Sequence, residues 1–343
     1  MTIISDTETR PFRTGAHDFG RKPSIIAEGL RKEFPGGVIA VAGVDLDIHE
    51  GEIFGFLGPN GAGKTTTVRM LTTLLRPTAG RATVAGFDLV QEPDDVRRSI
   101  GVALQEVGLD AMATGRELLT LQARLFGMGP TQAERRAAEL LELLGLADAA
   151  DRQTKTYSGG MKRRLDLASA LVHDPRLLFL DEPTEGLDPA SRQAVWREIG
   201  RLNRELGLTV FLTTHYLEEA DNLADRLAII DQGRIVAEGT PDALKATIGG
   251  DVVTVGLNRE HREAASSVLR QLVSLRELRP EDSGLTLLID DGNGVVADVV
   301  RLLDSAGITV GSVAVAEPTL DEVFLRATGS RLEGAVQHGG HSS

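Results

Sequence analysis

Gly58-Pro59-Asn60-Gly61-Ala62-Gly63-Lys64-Thr65 satisfies the pattern G-x-x-x-x-G-K-[ST] in full. Glycines at this spacing let the backbone curl until several N–H groups point inward at one anion, and a helix starting there adds its positive pole. Lys64 would set a point charge between β- and γ-phosphates, and the Thr65 hydroxyl is a hard oxygen donor suited to Mg2+. The loop stands where this chemistry needs it, after a buried strand, Ile53–Leu57, and before a helical run that opens at Thr66 and extends to Leu75. A dinucleotide-type G-x-G-x-x-G does not fit, because Thr66 occupies the place of the third glycine. The pattern implies a nucleoside triphosphate as ligand.

A second constellation is acidic. The apolar run Leu177–Leu180 delivers Asp181 and Glu182 at its carboxyl end, where the ligands of open α/β sheets gather. Successive strand residues point to opposite sides, so the two carboxylates can hold different jobs. Asp181 would join the Mg2+ shell, and Glu182 would orient or deprotonate a water. Taken alone, such a pair after a strand is more often a solvated turn. Ser158 precedes a helical stretch, Gly159–His173, and either caps it simply or aims its N-terminus at an anion. Lys162-Arg163-Arg164 reads as a solvated face of that helix.

These residues need a scaffold. Short strands are expected at Ile25–Ala27 and Val38–Val41 around the turn Pro35-Gly36-Gly37, then at Val44–Ile48. Helices are expected over Gly115–Phe126, Gln132–Leu144 (with Thr131 and Glu134 as a capping box), Ala190–Leu206 and Leu217–Leu223. Further strands fall at Leu208–Leu212 and Leu227–Ile230. Alternation at this pace implies a parallel-rich α/β sheet spanning residues 24–248, with a helical insertion near 100–172. Beyond Gly250 the order becomes β-α-β-β-α-β: strand Asp251–Leu257, helix Arg259–Leu275, strands at Leu278 and Leu285–Ile289, helix Val295–Ala306, strand Ile308–Val315. That is a ferredoxin-like pattern over 249–328, closed by a short helix, Leu320–Ala327. Residues 1–23 and 329–343 read as mobile tails.

Composition narrows the function classes. The chain has 343 residues, 41% apolar and 25% charged, enough for a real core. A net charge of −13 without a long basic run makes nucleic acid a poor partner. The absence of cysteine removes thiolate nucleophiles, thiolate metal sites and disulfides together. No apolar stretch reaches membrane-helix length and the N-terminus lacks a signal-peptide core, so a cytoplasmic chain is expected.

Tyr157-Ser158-Gly159-Gly160-Met161 lies 23 residues before Asp181, counting from Ser158. With the phosphate loop at 58–65, Gln105, Asp181-Glu182, Gly186-Leu187-Asp188 and His215 in that order, the chain resembles the ATP-binding subunit of an ABC transporter over about residues 24–248. The resemblance implies a P-loop NTPase fold with a helical subdomain. Tyr157 and Met161 depart from the commonest signature, which begins with leucine and ends with glutamine; Ser158 and Gly160 are kept. It further implies that Ser158 and Gly160 of one copy meet the γ-phosphate held by the phosphate loop (Gly58, Pro59, Asn60, Gly61, Ala62, Gly63, Lys64, Thr65 and Thr66) of another. Two ATP molecules are then sandwiched in a head-to-tail homodimer. Under the same resemblance His215 would bond the γ-phosphate, Gln105 would link it and Mg2+ to the helical insertion, Asp188 would sit near the opposite site, and Phe34 would stack on adenine.

Glu317-Pro318-Thr319-Leu320-Asp321-Glu322-Val323-Phe324-Leu325 is similar to the closing motif of the daunorubicin/doxorubicin-resistance type of exporter ATPase, as is the run Tyr157–Asp166. This implies export of a hydrophobic drug, antibiotic or lipid through separate membrane subunits, with the chain peripheral at the inner face of the membrane. The C-terminal unit is a ligand sensor, a dimer clamp or a partner contact. The rival classes are a soluble ABC ATPase acting on nucleic acid or ribosomes, and an ATP-locked regulatory module.

Overall fold

A computed structural model describes residues 12–13, 22–105, 108–281, 284–290 and 292–329. The chain divides into two compact units, one reaching Pro241 and one starting at Asp242.

The first unit runs β1 (Phe12–Arg13), β2 (Pro23–Phe34), β3 (Val38–His49), β4 (Ile53–Leu57), α1 (Lys64–Leu71), β5 (Ala79–Val84), β6 (Phe87–Asp88), α2 (Pro93–Ser99), β7 (Ile100–Ala103), α3 (Gly115–Leu125), α4 (Pro130–Leu143), α5 (Gly159–Ala170), β8 (Leu177–Asp181), α6 (Pro189–Leu206), β9 (Thr209–Thr214), α7 (Leu217–Leu223), β10 (Arg226–Asp231) and β11 (Arg234–Gly239). Among the described residues the main sheet has the order β1-β11-β10-β4-β9-β8-β7. From β10 to β7 every pairing is parallel, so β4, β7, β8 and β9 end at one edge. A second, antiparallel sheet has the order β3-β2-β5-β6.

Strands β4, β8 and β9 are buried along their whole length, as expected of parallel strands covered on both faces. Their alternating side chains feed two cores. Phe54, Phe56, Phe179 and Phe211 join α1 and the antiparallel sheet; Leu178, Leu180, Val210 and Leu212 join α3 to α6. The Phe211 ring centroid lies 5.5 Å from those of Phe56 and Phe179, which packs three neighbouring strands together beneath the phosphate loop.

Several expectations shift. Phe12–Arg13, placed in a mobile tail, pairs in parallel with Ala237–Glu238; the rest of the supposed N-terminal tail up to residue 21, and the C-terminal tail beyond Gly329, lie outside the described residues. Helix α1 stops at Leu71, not Leu75, because Thr73 turns to φ 62. Helix α4 has no Thr131 cap: Pro130 takes the first helical position behind Gly129, and its preset φ starts the helix earlier. A capping box does form, at Thr114 and Glu117 ahead of α3.

The second unit contains α8 (Pro241–Ala246), β12 (Asp251–Gly256), α9 (Arg262–Leu269), β13 (Leu275–Glu281), β14 (Gly284–Ile289), α10 (Gly292–Ser305), β15 (Ser312–Ala316) and α11 (Leu320–Thr328). Its antiparallel sheet has the order β13-β14-β12-β15, the ferredoxin-like arrangement. Helix α9 ends at Leu269 although the apolar spacing continues to Leu275, because Leu275 is claimed by pairing with Ile289.

Candidate active site at the carboxyl edge of the parallel sheet

The phosphate loop leaves β4 and enters α1. Two of its glycines are required by contact: a Cβ on Gly58 would fall 2.4 Å from the Ile230 carbonyl oxygen, and one on Gly63, at φ 108, would fall 2.5 Å from the Ala40 carbonyl oxygen. Gly61, at φ 81, would meet nothing, and its demand is the left-handed backbone alone. Gly63 is the N-cap of α1 and offers no side chain to the helix's free N–H groups, which leaves them directed at the loop. Thr65 and Thr66 lie in the first turn.

Lys64 is buried. Its Nζ donates to the carbonyl oxygens of Gly58 (2.7 Å) and Pro59 (3.1 Å) and lies 3.0 Å from Glu182 Oε1. The other oxygen, Glu182 Oε2, is 3.3 Å from His215 Nδ1. Burial pushes the Glu182 carboxyl up, but the His215 contact and the Lys64 cation outweigh it, and the pKa falls from 4.5 to about 2. Glu182 sits at φ 50, a left-handed conformation that costs a non-glycine residue about 1–3 kcal/mol and is held only when its surroundings impose it. The restraint is Thr213, whose Oγ1 accepts from the Glu182 N–H (3.0 Å) and donates to Asp181 Oδ1 (2.6 Å). Thr65 Oγ1 reaches the same Asp181 oxygen at 3.2 Å. Strands β4, β8 and β9 thus bring Lys64, Thr65, Asp181, Glu182 and His215 together.

Other expected site residues stand elsewhere. Gln105 is exposed, and its Nε2 donates to the Glu185 carboxylate rather than to Thr65 or Asp181. Ser158 caps α5 by accepting from the Met161 N–H (3.3 Å). Gly159 and Gly160 pack beside Leu187 and Ser191. Asp188 caps α6 by accepting from the Ser191 N–H (3.0 Å), and bonds from Ser191 lower its carboxyl pKa. Phe34 ends β2, partly exposed, with Lys32 Nζ 5.3 Å from its ring centre.

Tyr157, one of the two departures from the commonest signature, is accommodated by a specific pair. Its hydroxyl donates to the Ala149 carbonyl (2.6 Å), and Gly115 leaves it room.

Arg163 overturns an expectation. It does not lie on a solvated face but is 3% exposed. The helix turns it inward, where carbonyl groups at two strand ends and the Asp166 carboxylate accept from its guanidinium. Thr213, Arg163 and Glu219 were the functional neighbours missed. Glu219, wholly buried, accepts from Thr184 Oγ1 (2.9 Å) and Trp196 Nε1 (2.8 Å), tying the segment after Glu182 to α6 and α7; burial pushes its carboxyl up. The only sequence signal for Thr213 was its place two residues before His215.

Residues 41–185 match the family described as ABC transporter, and residues 239–328 match the ATP-binding protein DrrA1-3-like, C-terminal domain. The daunorubicin resistance ATP-binding protein DrrA2 of Streptomyces coeruleorubidus is 45% identical over 90% of this chain and 96% of its own length. The daunorubicin/doxorubicin resistance ATP-binding protein DrrA of Streptomyces peucetius is 47% identical over 89% of this chain and 92% of its own. Among solved structures, the dimeric post-hydrolysis state of the ATP-binding cassette MJ0796, bound to ADP and Pi, superposes with a TM-score of 0.57 at 27% identity, covering 63% of this chain and 98% of that one.

Proposed function

Because the chain belongs to the ABC transporter family of ATP-binding proteins and is an ATPase, we propose that it hydrolyses ATP clasped between two copies of itself to drive export of a hydrophobic drug, antibiotic or lipid through separate membrane subunits. The observation that carries this reading is the convergence of Lys64, Thr65, Asp181, Glu182 and His215 at one sheet edge. The export direction is supported by the relatives being drug-resistance proteins. The two-copy arrangement is supported by the dimeric cassette bound to ADP and Pi. Among the described residues no helix is long and apolar enough to cross a membrane, which suits a chain that works peripherally through membrane partners.

The donors fit Mg2+. That ion keeps several waters and takes one or two carboxylates plus substrate phosphates, and Thr65 with Asp181 forms such a sparse oxygen pair. When bound, Mg2+ would neutralise charge developing on the transferred phosphoryl group. Lys64 would shift from Glu182 to the phosphates. Glu182, released, would orient or deprotonate the attacking water, and His215 would hold the γ-phosphate. Ser158 and Gly160 of the second copy would close the site, with Asp188 beside it, Phe34 stacking on adenine, and Gln105 swinging from Glu185 to the metal shell.

The test is gel filtration of Glu182→Gln with Mg-ATP. A dimer that forms only with nucleotide is expected; a monomer at saturating ATP would count against the two-copy site.

A further inference from the structure

Arg163 lies in the first turns of α5, the helix whose N-terminus carries Ser158. Its Nη1 donates to the Leu104 carbonyl oxygen at 2.8 Å and to Asp166 Oδ2 at 2.9 Å; Nη2 reaches the Asp181 carbonyl oxygen at 3.4 Å. Leu104 immediately precedes Gln105, and Asp181 immediately precedes Glu182. A single fork therefore joins the signature helix to the ends of β7 and β8. Burying this ion pair is costly on both sides: burial pushes the Arg163 guanidinium down and raises the Asp166 carboxyl from 3.8 to about 6. A buried ion pair is poor evidence for stability, since apolar replacements of similar volume are often neutral or stabilising. What the pair does offer is geometry. Arginine suits that role because its planar fork serves several acceptors at once, which a lysine point charge cannot.

We propose that Arg163 is a positioning residue that locks the helix presenting Ser158 to the strand ends carrying Gln105 and Asp181, so that the triphosphate held by one copy sets the placement of the signature that copy lends to the other. The inference rests on the two-copy reading above. ATP moving Gln105 and the Asp181 segment would pull on the Leu104 and Asp181 carbonyls, and through Arg163 on α5. Each copy's own nucleotide then organises its partner's site.

The test uses the full chain with Arg163→Met and Asp166→Leu combined, which removes both buried charges and keeps an apolar fill, beside Arg163→Lys. Fluorescent ATP binding is expected to stay within about threefold. In a Glu182→Gln background the ATP concentration needed for dimerisation should rise about tenfold; with Glu182 present, kcat should fall about tenfold with KM little changed. Arg163→Lys should fall between, since it keeps one donation. A double variant that dimerises at the parent's ATP concentration and turns over at the parent's kcat overturns the assignment. A Glu182→Gln parent that never dimerises with ATP overturns the two-copy reading instead, and this inference with it.

Discussion

Lys64 and Glu182 form a buried ion pair at 3.0 Å, so the cation assigned to phosphate and the carboxylate assigned to water hold each other. A carboxylate lowered to about 2 is a weak base. Any phosphate that draws Lys64 away raises it again, so base strength becomes conditional on substrate.

This arrangement makes Glu182→Gln informative in two directions. Turnover should fall about 10²–10⁴-fold, the usual cost of losing a general base. ATP affinity should instead hold or rise severalfold, because Lys64 no longer has a competing anion beside it. Titration with a fluorescent ATP analogue, set against steady-state hydrolysis, checks both. Lys64→Ala should lose about 10–100-fold in affinity, as expected for a charge-assisted bond to phosphate.

Acid stability follows from the contacts that His215 and Lys64 make with Glu182. The Glu182 pKa drops from 4.5 to about 2 in the fold, so its stabilising contribution is complete above pH about 4.5 and is lost as pH falls toward about 2. Melting temperatures of the wild type should fall more steeply between about pH 5 and pH 3 than those of Glu182→Gln, which lacks this group while sharing the other carboxylates. Parallel curves for the two proteins would remove Glu182 and its His215 and Lys64 contacts from the stability account.

Thr213 should matter to both stability and rate. Its hydroxyl bridges Asp181 Oδ1 and the Glu182 N–H. Thr213→Val keeps the shape but removes the bridge, leaving Asp181 Oδ1 only the longer Thr65 donation at 3.2 Å. A loss of about 1–3 kcal/mol is expected, with kcat reduced more than KM is raised. Thr213→Ser keeps the hydroxyl and should recover most of both, read by denaturant unfolding and by steady-state kinetics.

The phosphate loop and the Asp181-Glu182 pair were readable from sequence because their signals are local: a glycine spacing, a buried strand before it, a helix after it. Arg163 was not. Its burial depends on carbonyl groups at Leu104 and Asp181 that lie 59 and 18 residues away, and only the parallel pairing of β7 with β8 brings them side by side. A run of three basic residues on a helix carries no mark of which one turns inward. Thr131 shows the opposite failure. Its capping pattern was genuine at the level of spacing, but Pro130 had already started the helix. In the C-terminal unit, β-α-β-β-α-β was readable because its apolar periods alternate cleanly, while the end of α9 was not, since strand pairing decided it.

The Tyr157–Gly115 pair yields a double-mutant test of the signature's departure. A Cβ at Gly115 would fall 2.7 Å from the Tyr157 hydroxyl oxygen, closer than such contacts occur, and that hydroxyl is fixed by its bond to the Ala149 carbonyl (2.6 Å). Gly115→Ala alone should therefore destabilise, although alanine is otherwise worth up to about 1 kcal/mol over glycine in a helix. Tyr157→Phe alone should lose about 1 kcal/mol with its hydrogen bond. Together they should be less harmful than the sum, because the phenyl ring leaves space where the hydroxyl stood. A coupling energy of about 0.5–2 kcal/mol in the favourable direction is expected from denaturant unfolding of the four proteins. Strict additivity would mean that Gly115 is kept for some reason other than room for the tyrosine.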